Sequence, residues 1–174
     1  MDLRYPIGKF DFHQTIVPGQ YAGLIADIAS APALYRDAVH GLEDTQLDTP
    51  YRPDGWTVRQ TVHHVADSHM NSFIRMRLAL TETEPTVRPY DEKAWAELAD
   101  SKVAPVEVSL QIIQSLHTRW VMLLNSLSPG DFARTFRHPQ VGLMRLDTNL
   151  ALYAWHGRHH AAHITGLRQR NDWK

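Results

Sequence analysis

Histidines grouped in two short segments are the side chains of this chain best suited to chemistry. The members of the two groups are His63, His64, His69, His156, His159, His160 and His163. Neutral imidazoles bind Zn²⁺, Ni²⁺, Cu²⁺ or Fe²⁺, so the expected chemistry is that of a bound divalent ion, with zinc as the default and nickel as an alternative. The chain has no cysteine, which excludes disulfides, thiolate metal sites and a cysteine nucleophile.

The spacing in the later segment offers two ways to hold one ion. His156 and His160 are four residues apart, and so are His159 and His163; residues at this spacing lie one above the other on a helix. The first pair shares the helical phase of the flanking leucines, which favours His156 with His160. His163 lies near the same phase and remains an alternative ligand.

A third ligand is expected from the earlier segment, where His63, His64 and His69 are the candidates. His69 falls in an apolar stripe, which is typical of a packed histidine. His64 lies among polar side chains that face either water or a polar cavity, and a cavity would make His64 the ligand. Asp67 is a candidate partner of a ligand or proton acceptor, with a solvated carboxylate as the alternative.

Three histidine ligands leave a fourth position open for water or substrate, as in catalytic metal sites. Because neutral histidines do not cancel the charge of the ion, a bound water or thiol would lose its proton near neutral pH and become a nucleophile. Gly157 stands where an HExxH motif would place its glutamate, so peptide hydrolysis by that route lacks its proton acceptor. Paired histidines on a helix are also common as surface or packed core residues, and spacing alone leaves that alternative open.

Four long stretches with helical periodicity must position these histidines. They are predicted over residues 20–41, 57–81, 105–127 and 147–170. Thr57 followed by Gln60 forms a capping box at the start of the second. Pro32 predicts a kink or a break in the first, Pro105 suits the first turn of the third, and Asp147 can cap the fourth.

The predicted fold class is all-α, a four-helix bundle with a long connection between its second and third helices. The segment DEKAWAEL predicts a short helix within that connection, and FRHPQVGLMRLDTN holds the only candidate for a short β-hairpin. On the third helix, Val108, Ile112 and Ile113 are expected on the buried side. Residues 1–174 have the length of a single domain, and bundles form metal sites where facing helices converge in the core.

The charge balance argues against nucleic acid and membranes as partners. With 18 basic and 19 acidic residues, the chain offers no large field for phosphate backbones or anionic lipid. No run approaches the roughly 18 apolar residues of a membrane-spanning helix. The first residues lack the apolar region of a secretory signal, so a cytoplasmic location is expected.

Long motifs of the chain resemble, in order, those of the YfiT branch of the DinB-like metalloenzymes. These motifs are YPIGKF, DTPYRPDGWTVRQTVHHVADSHMNSFIRMRLALTE, RPYDEKAWAEL and LYAWHGRHHAAHI. The resemblance covers nearly the whole chain and implies a DinB-type four-helix fold and a homodimer. It also implies the ligands: His64 from the HH pair, His156 directly after the tryptophan of LYxWH, and His160 four residues later.

The function implied by the resemblance is that of a metal-dependent enzyme. Such proteins are described as metal-dependent hydrolases and, for a characterised member, as a bacillithiol S-transferase. We therefore expect one divalent ion per subunit and a thiol S-transferase that directs a metal-activated low-molecular-weight thiol at an electrophile. The alternatives are a hydrolase of esters or amides that uses metal-bound hydroxide, and a non-catalytic metal- or ligand-binding dimer.

Overall fold

Four long helices dominate the computed structural model, which describes residues 2–173. They are α1 (Tyr21–Val39), α3 (Val58–Thr81), α6 (Val106–Asn125) and α8 (Leu146–Arg170). The shorter elements are a 3-10 turn at Pro18–Gln20, α2 (Asp44–Leu47), α4 (Glu92–Ala96), α5 (Ala99–Val103), α7 (Pro129–Phe132), β1 (Thr135–His138) and β2 (Gly142–Arg145). None of the helices within residues 2–173 combines the length and apolar character needed to cross a bilayer.

The long helices form the expected four-helix bundle, in which α1 and α3 each pack against both α6 and α8. Buried apolar side chains form two clusters along the bundle. One contains Val65 and Ile113, and the other contains Phe73 and Trp120. Buried or partly buried histidines occupy the positions between the two clusters on α3, α6 and α8: His69, His117, His156 and His160. A polar layer therefore divides the core at one level of the bundle.

The sequence signal for a helix start is confirmed at α3 but not at α8. The Thr57 hydroxyl accepts a 3.1 Å hydrogen bond from the Gln60 backbone N–H, and the Gln60 side chain accepts one of 3.0 Å from the Thr57 N–H. This confirms the capping box of α3. The prediction that Asp147 caps α8 is wrong. β2 runs directly into the helix, and Arg145 occupies the N-cap position. The Asp147 carboxylate lies in the first turn and accepts hydrogen bonds from the Arg145 guanidinium.

The prediction of a break at Pro32 is wrong, since α1 runs through this buried proline without interruption. A proline lacks the N–H that would bond to the carbonyl four residues earlier, which here is that of Ile28. The Ile28 oxygen instead accepts a 2.7 Å hydrogen bond from Nδ1 of His117 on α6. A neighbouring helix therefore satisfies the carbonyl that the proline leaves open.

The exposed side of α6 is more apolar than expected. Ile113 is fully buried, but Val108 and Ile112 retain 51% and 39% of their accessible surface, so their predicted burial is wrong. Met122, on the same helical face, is 70% exposed. The apolar surface of α6 is wider than the strip that the bundle covers.

The predicted hairpin is present and closes one end of the bundle. β1 pairs antiparallel with β2, with Phe136 opposite Met144 and His138 opposite Gly142. The positive φ of 89° at Gly142 suits the turn, because glycine adopts this backbone conformation without strain. Phe136 and Met144 are buried in the core, which anchors the hairpin against the helices.

Candidate metal centre

Three imidazoles from facing helices converge between the two apolar clusters. His64 comes from α3, and His156 and His160 come from adjacent turns of α8. One nitrogen of each lies within 4.8 Å of the others. Small side-chain rotations would bring these atoms to a shared ion, whose bonds to imidazole nitrogens are about 2.1 Å long. The structure thus brings together the three residues that sequence reasoning selected.

A second group of histidines overlaps the first. His159, His160 and His163 are all buried and also offer nitrogens within 4.8 Å of one another. Nε2 of His159 and Nε2 of His163 already share a 3.1 Å hydrogen bond. Neither of these two residues lines the cavity described next, whereas His64, His156 and His160 do. Access from the cavity therefore favours the group that contains His64.

A cavity of about 370 Å³ opens onto the three imidazoles. Trp56 forms part of its wall, with a ring centroid 4.6 Å from that of His64. The hairpin contributes further wall residues, which are Phe136, His138, Gln140, Val141 and Met144. The polar and charged lining comes from Ser68, Arg75, Glu92, Lys93 and Asn149. The cavity is large enough for a small molecule and mixes charged with aromatic surface.

Burial keeps the candidate ligands neutral. Desolvation lowers the pKa of His64 to about 4 and holds the pKa values of His156 and His160 well below the ordinary value of 6.5. Neighbouring histidines add to the effect at His156 and His160, since a proton on one would repel a proton on another. Nδ1 of His160 is buried and has no hydrogen-bond partner within residues 2–173. Unprotonated imidazoles are the form that binds a divalent ion, so the donor set fits a metal.

His69 and His117 lie directly behind His156. Nε2 of His69 is 3.1 Å from Nδ1 of His156, and Nδ1 of His69 is 2.9 Å from Nε2 of His117. His69 is packed, as its apolar stripe predicts, but it also contacts a candidate ligand. His117 was missed by sequence reasoning, although its phase with Ile113 and Trp120 on α6 predicts that it is buried.

The structure places Asp67 outside the cavity wall. Its side chain is partly buried, and desolvation, with a smaller contribution from Asp100, raises its pKa to about 6. The adjacent Ser68 does line the cavity, where its hydroxyl is 3.3 Å from that of Tyr153. The acidic side chain on the cavity wall is Glu92 of α4.

Comparisons with known proteins agree with this architecture. A model of the DinB superfamily matches residues 28–164. A protein of Bacillus mycoides (strain KBAB4), named "Putative metal-dependent hydrolase", is 56% identical over 172 residues, which are 99% of each chain. A protein of Bacillus cereus (strain 03BB102) with the same name is 55% identical over 172 residues, again 99% of each chain.

Two solved structures are similar in fold. YfiT from Bacillus subtilis, described as "a probable metal-dependent hydrolase with an unusual four-helix bundle topology", superposes with a TM-score of 0.97 at 50% identity over 100% of both chains. TT2238, described as a four-helix bundle protein, has a TM-score of 0.56 at 18% identity, over 81% of this chain and 94% of its own. The second similarity concerns the fold alone.

Proposed function

The chain belongs to the DinB superfamily, and from this premise we propose that it is a metal-dependent enzyme with one divalent ion on His64, His156 and His160. The observation that carries the proposal is the convergence of these three neutral imidazoles on a cavity of small-molecule size. When bound, a divalent ion supplies Lewis acidity, which lowers the pKa of a coordinated water or thiol. Zinc is the proposed ion, with nickel as the alternative, because imidazole ligands suit both.

The proposed reaction is transfer of a low-molecular-weight thiol to an electrophile. Sulfur bonds to the electrophilic carbon, the thiol proton is released, and the leaving group departs with its electron pair. The cavity supports this pairing of substrates. Arg75 and Lys93 can bind carboxylates of a small thiol, whereas Trp56 and Phe136 offer apolar surface to an electrophile.

Hydrolysis of an ester or amide is the second candidate, and the names of the relatives favour it. The same cavity would then bind one substrate and water. For either reaction Glu92 is a proton acceptor within the cavity. Asp67, the other candidate proton acceptor, lies outside the cavity wall.

One assay distinguishes the two reactions. Zinc-loaded and nickel-loaded protein would be supplied with a panel of small thiols and monochlorobimane, and separately with chromogenic esters and amides without thiol. Conjugation of a thiol supports the transferase, and turnover without thiol supports the hydrolase. The His64→Gln variant should lose the activity, and His63→Gln, which changes a neighbouring histidine bonded to Ser109, should retain it. Tight metal binding without either activity would leave a non-catalytic binding protein.

We also propose that the enzyme acts as a cytoplasmic homodimer on small molecules, without nucleic acid or membrane partners. The exposed apolar face of α6, with Val108, Ile112 and Met122, supports a protein contact on that side. Sedimentation equilibrium tests the dimer, since the expected mass is twice the 19.9 kDa of one chain. A concentration-independent mass of one chain would contradict it.

A further inference from the structure

A row of three histidines connects the backbone of α1 with the proposed metal centre. It begins at the Ile28 carbonyl, 2.7 Å from Nδ1 of His117, continues from His117 to His69 over 2.9 Å, and ends at His156 after a further 3.1 Å. His117 and His69 are 1% and 0% exposed. We call His117, His69 and His156 the histidine row. Water therefore cannot reach the hydrogen bonds that His117 and His69 make within it.

The direction of every hydrogen bond in the row follows from its first member. A carbonyl oxygen only accepts hydrogen bonds, so Nδ1 of His117 must carry a hydrogen and donate it to Ile28. Pro32 has no N–H to occupy this oxygen. A neutral His117 with its hydrogen on Nδ1 has a lone pair on Nε2 and must accept from its neighbour.

The same reasoning passes along the row. Nδ1 of His69 donates to Nε2 of His117, which leaves a lone pair on Nε2 of His69. That lone pair accepts from Nδ1 of His156. The remaining nitrogen of His156, its Nε2, is then unprotonated and free to bind an ion. Reversing the row would require Ile28 to donate, which its carbonyl cannot do.

We infer that His69 and His117 are positioning residues that hold His156 in its Nδ1–H tautomer, the form in which Nε2 can bind the metal. This inference rests on the proposed function, because it assigns His156 as a ligand. An imidazole without such partners favours a hydrogen on Nε2, which blocks that atom as a ligand. The outer partner of His156 is thus another histidine, itself oriented by a third, where a carboxylate or backbone carbonyl is usual.

The tautomers can be read in the metal-free protein by long-range ¹H–¹⁵N correlation NMR with ¹⁵N-labelled histidine at pH 7.5. We expect Nδ1–H forms for His69, His117 and His156. A hydrogen on Nε2 of His156 would overturn the inference without any measurement of metal binding or activity. This readout uses the unaltered chain, so it does not depend on whether a variant folds.

Variants of His117 test the effect on the metal. His117→Leu removes both bonds of this residue, whereas in His117→Gln the side-chain amide can still donate to Ile28 and accept from His69. Ser109→Ala is the matched control, because it removes a buried 2.7 Å bond to His63 between the same helices, α3 and α6, without touching the row. Zinc dissociation constants would be measured by competition with a chromophoric chelator.

The expected result is zinc affinity roughly 10- to 100-fold weaker in His117→Leu, with His156 shifted towards its Nε2–H form. The zinc affinities of His117→Gln and Ser109→Ala should stay within about threefold of that of the unaltered protein. Loss of an outer partner, by comparison, usually weakens metal binding by a factor of about 10 or more. Equal zinc affinities for His117→Leu and Ser109→Ala would overturn the inference. Normal zinc binding without turnover of thiols, esters or amides would defeat the proposed function but leave this result standing.

Discussion

The hydroxyl of Tyr35 on α1 donates a 2.7 Å hydrogen bond to the carbonyl oxygen of Gly157 on α8, directly beside His156. Tyr35 is fully buried, so this contact ties α1 to the turn that carries the centre. Gly157 also packs beside the His69 ring, where an added Cβ would make an ordinary van der Waals contact at 3.5 Å.

Tyr35→Phe should lower the free energy of unfolding by about 1 kcal/mol, because a buried carbonyl loses one neutral hydrogen-bond donor. For a chain of this size, that corresponds to a fall of about 2–4 °C in the melting temperature. Urea unfolding of metal-free protein measures the change. Zinc affinity should stay within about twofold, since no bond of the histidine row is altered. Unchanged stability would show that the Tyr35 hydroxyl is dispensable.

Substitutions of His64 and His163 should separate the two overlapping histidine groups, which share His160. His64→Gln removes a ligand of the proposed centre, so zinc affinity should fall by more than the ~100-fold that loss of an outer partner can cause. His163→Gln should change it by less than about threefold. Metal content after gel filtration and chelator competition provide the measurements. The opposite order would place the ion among His159, His160 and His163.

The metal-free protein should lose stability as the pH falls below about 6.5. Buried His64, with a pKa of about 4, and the still lower values of His156 and His160 mean that the unfolded chain binds protons that the folded chain cannot. Stability is therefore fully present above pH 6.5 and is lost as the pH falls from there towards 4.

Between pH 7.5 and 5.5, a window centred on the ordinary pKa of 6.5, each of these histidines contributes about 1.4 kcal/mol. The three together should therefore lose on the order of 4 kcal/mol, and other buried histidines with lowered pKa values, among them His69 and His163, add to the loss. Urea unfolding at several pH values, with chelator present, measures this fall. His64→Gln should show a shallower dependence, because one of the titrating groups is gone. A stability that stays constant over this range would mean that the imidazoles are hydrated.

Asp67→Asn should raise stability at pH 8. Because burial and then Asp100 raise the pKa of Asp67 to about 6, the stability associated with this carboxyl is present at low pH and is lost as the pH rises through that value. Removing the charge should recover on the order of 1 kcal/mol, after allowance for solvent screening of a partly exposed group. Thermal unfolding at pH 8 is the measurement.

The same variant tests the role of Asp67 in the reaction. Its position outside the cavity wall predicts unchanged zinc affinity and turnover within about threefold. Glu92→Gln, the matched change on the wall, should reduce turnover by about 10²-fold or more, the usual contribution of a positioned acid or base. Loss of turnover in Asp67→Asn alone would restore Asp67 as the proton acceptor.

Local periodicity was sufficient to predict the long helices and the buried side of α3. It could not decide whether the polar stripe around His64 faces water or a cavity, because that depends on the packing of α3 against α8. The resemblance to known motifs supplied that choice. On α8, phase separated His156 and His160 from His159 but left His163 open, and the cavity favours the group with His64.

Contacts between distant parts of the chain account for what sequence reasoning missed. His117 is a lone histidine on α6, and its partner His69 lies 48 residues away. Proline usually interrupts a helix because it lacks a backbone N–H. At Pro32 the helix continues, because a side chain of another helix bonds to the freed carbonyl of Ile28. Val108 and Ile112 fit the apolar pattern of α6 but lie outside the strip that its neighbours cover.

The base and the rim of the cavity are built from different parts of the chain. The imidazoles belong to two long helices that pack in the core, whereas Gln140 and Val141 belong to the turn of the hairpin and are exposed. Insertions or exchanges in that turn alter which molecules can enter while the helices beneath keep their places. Selectivity for the bound molecule can therefore change through a few residues of this loop, while the histidines on the helices stay the same.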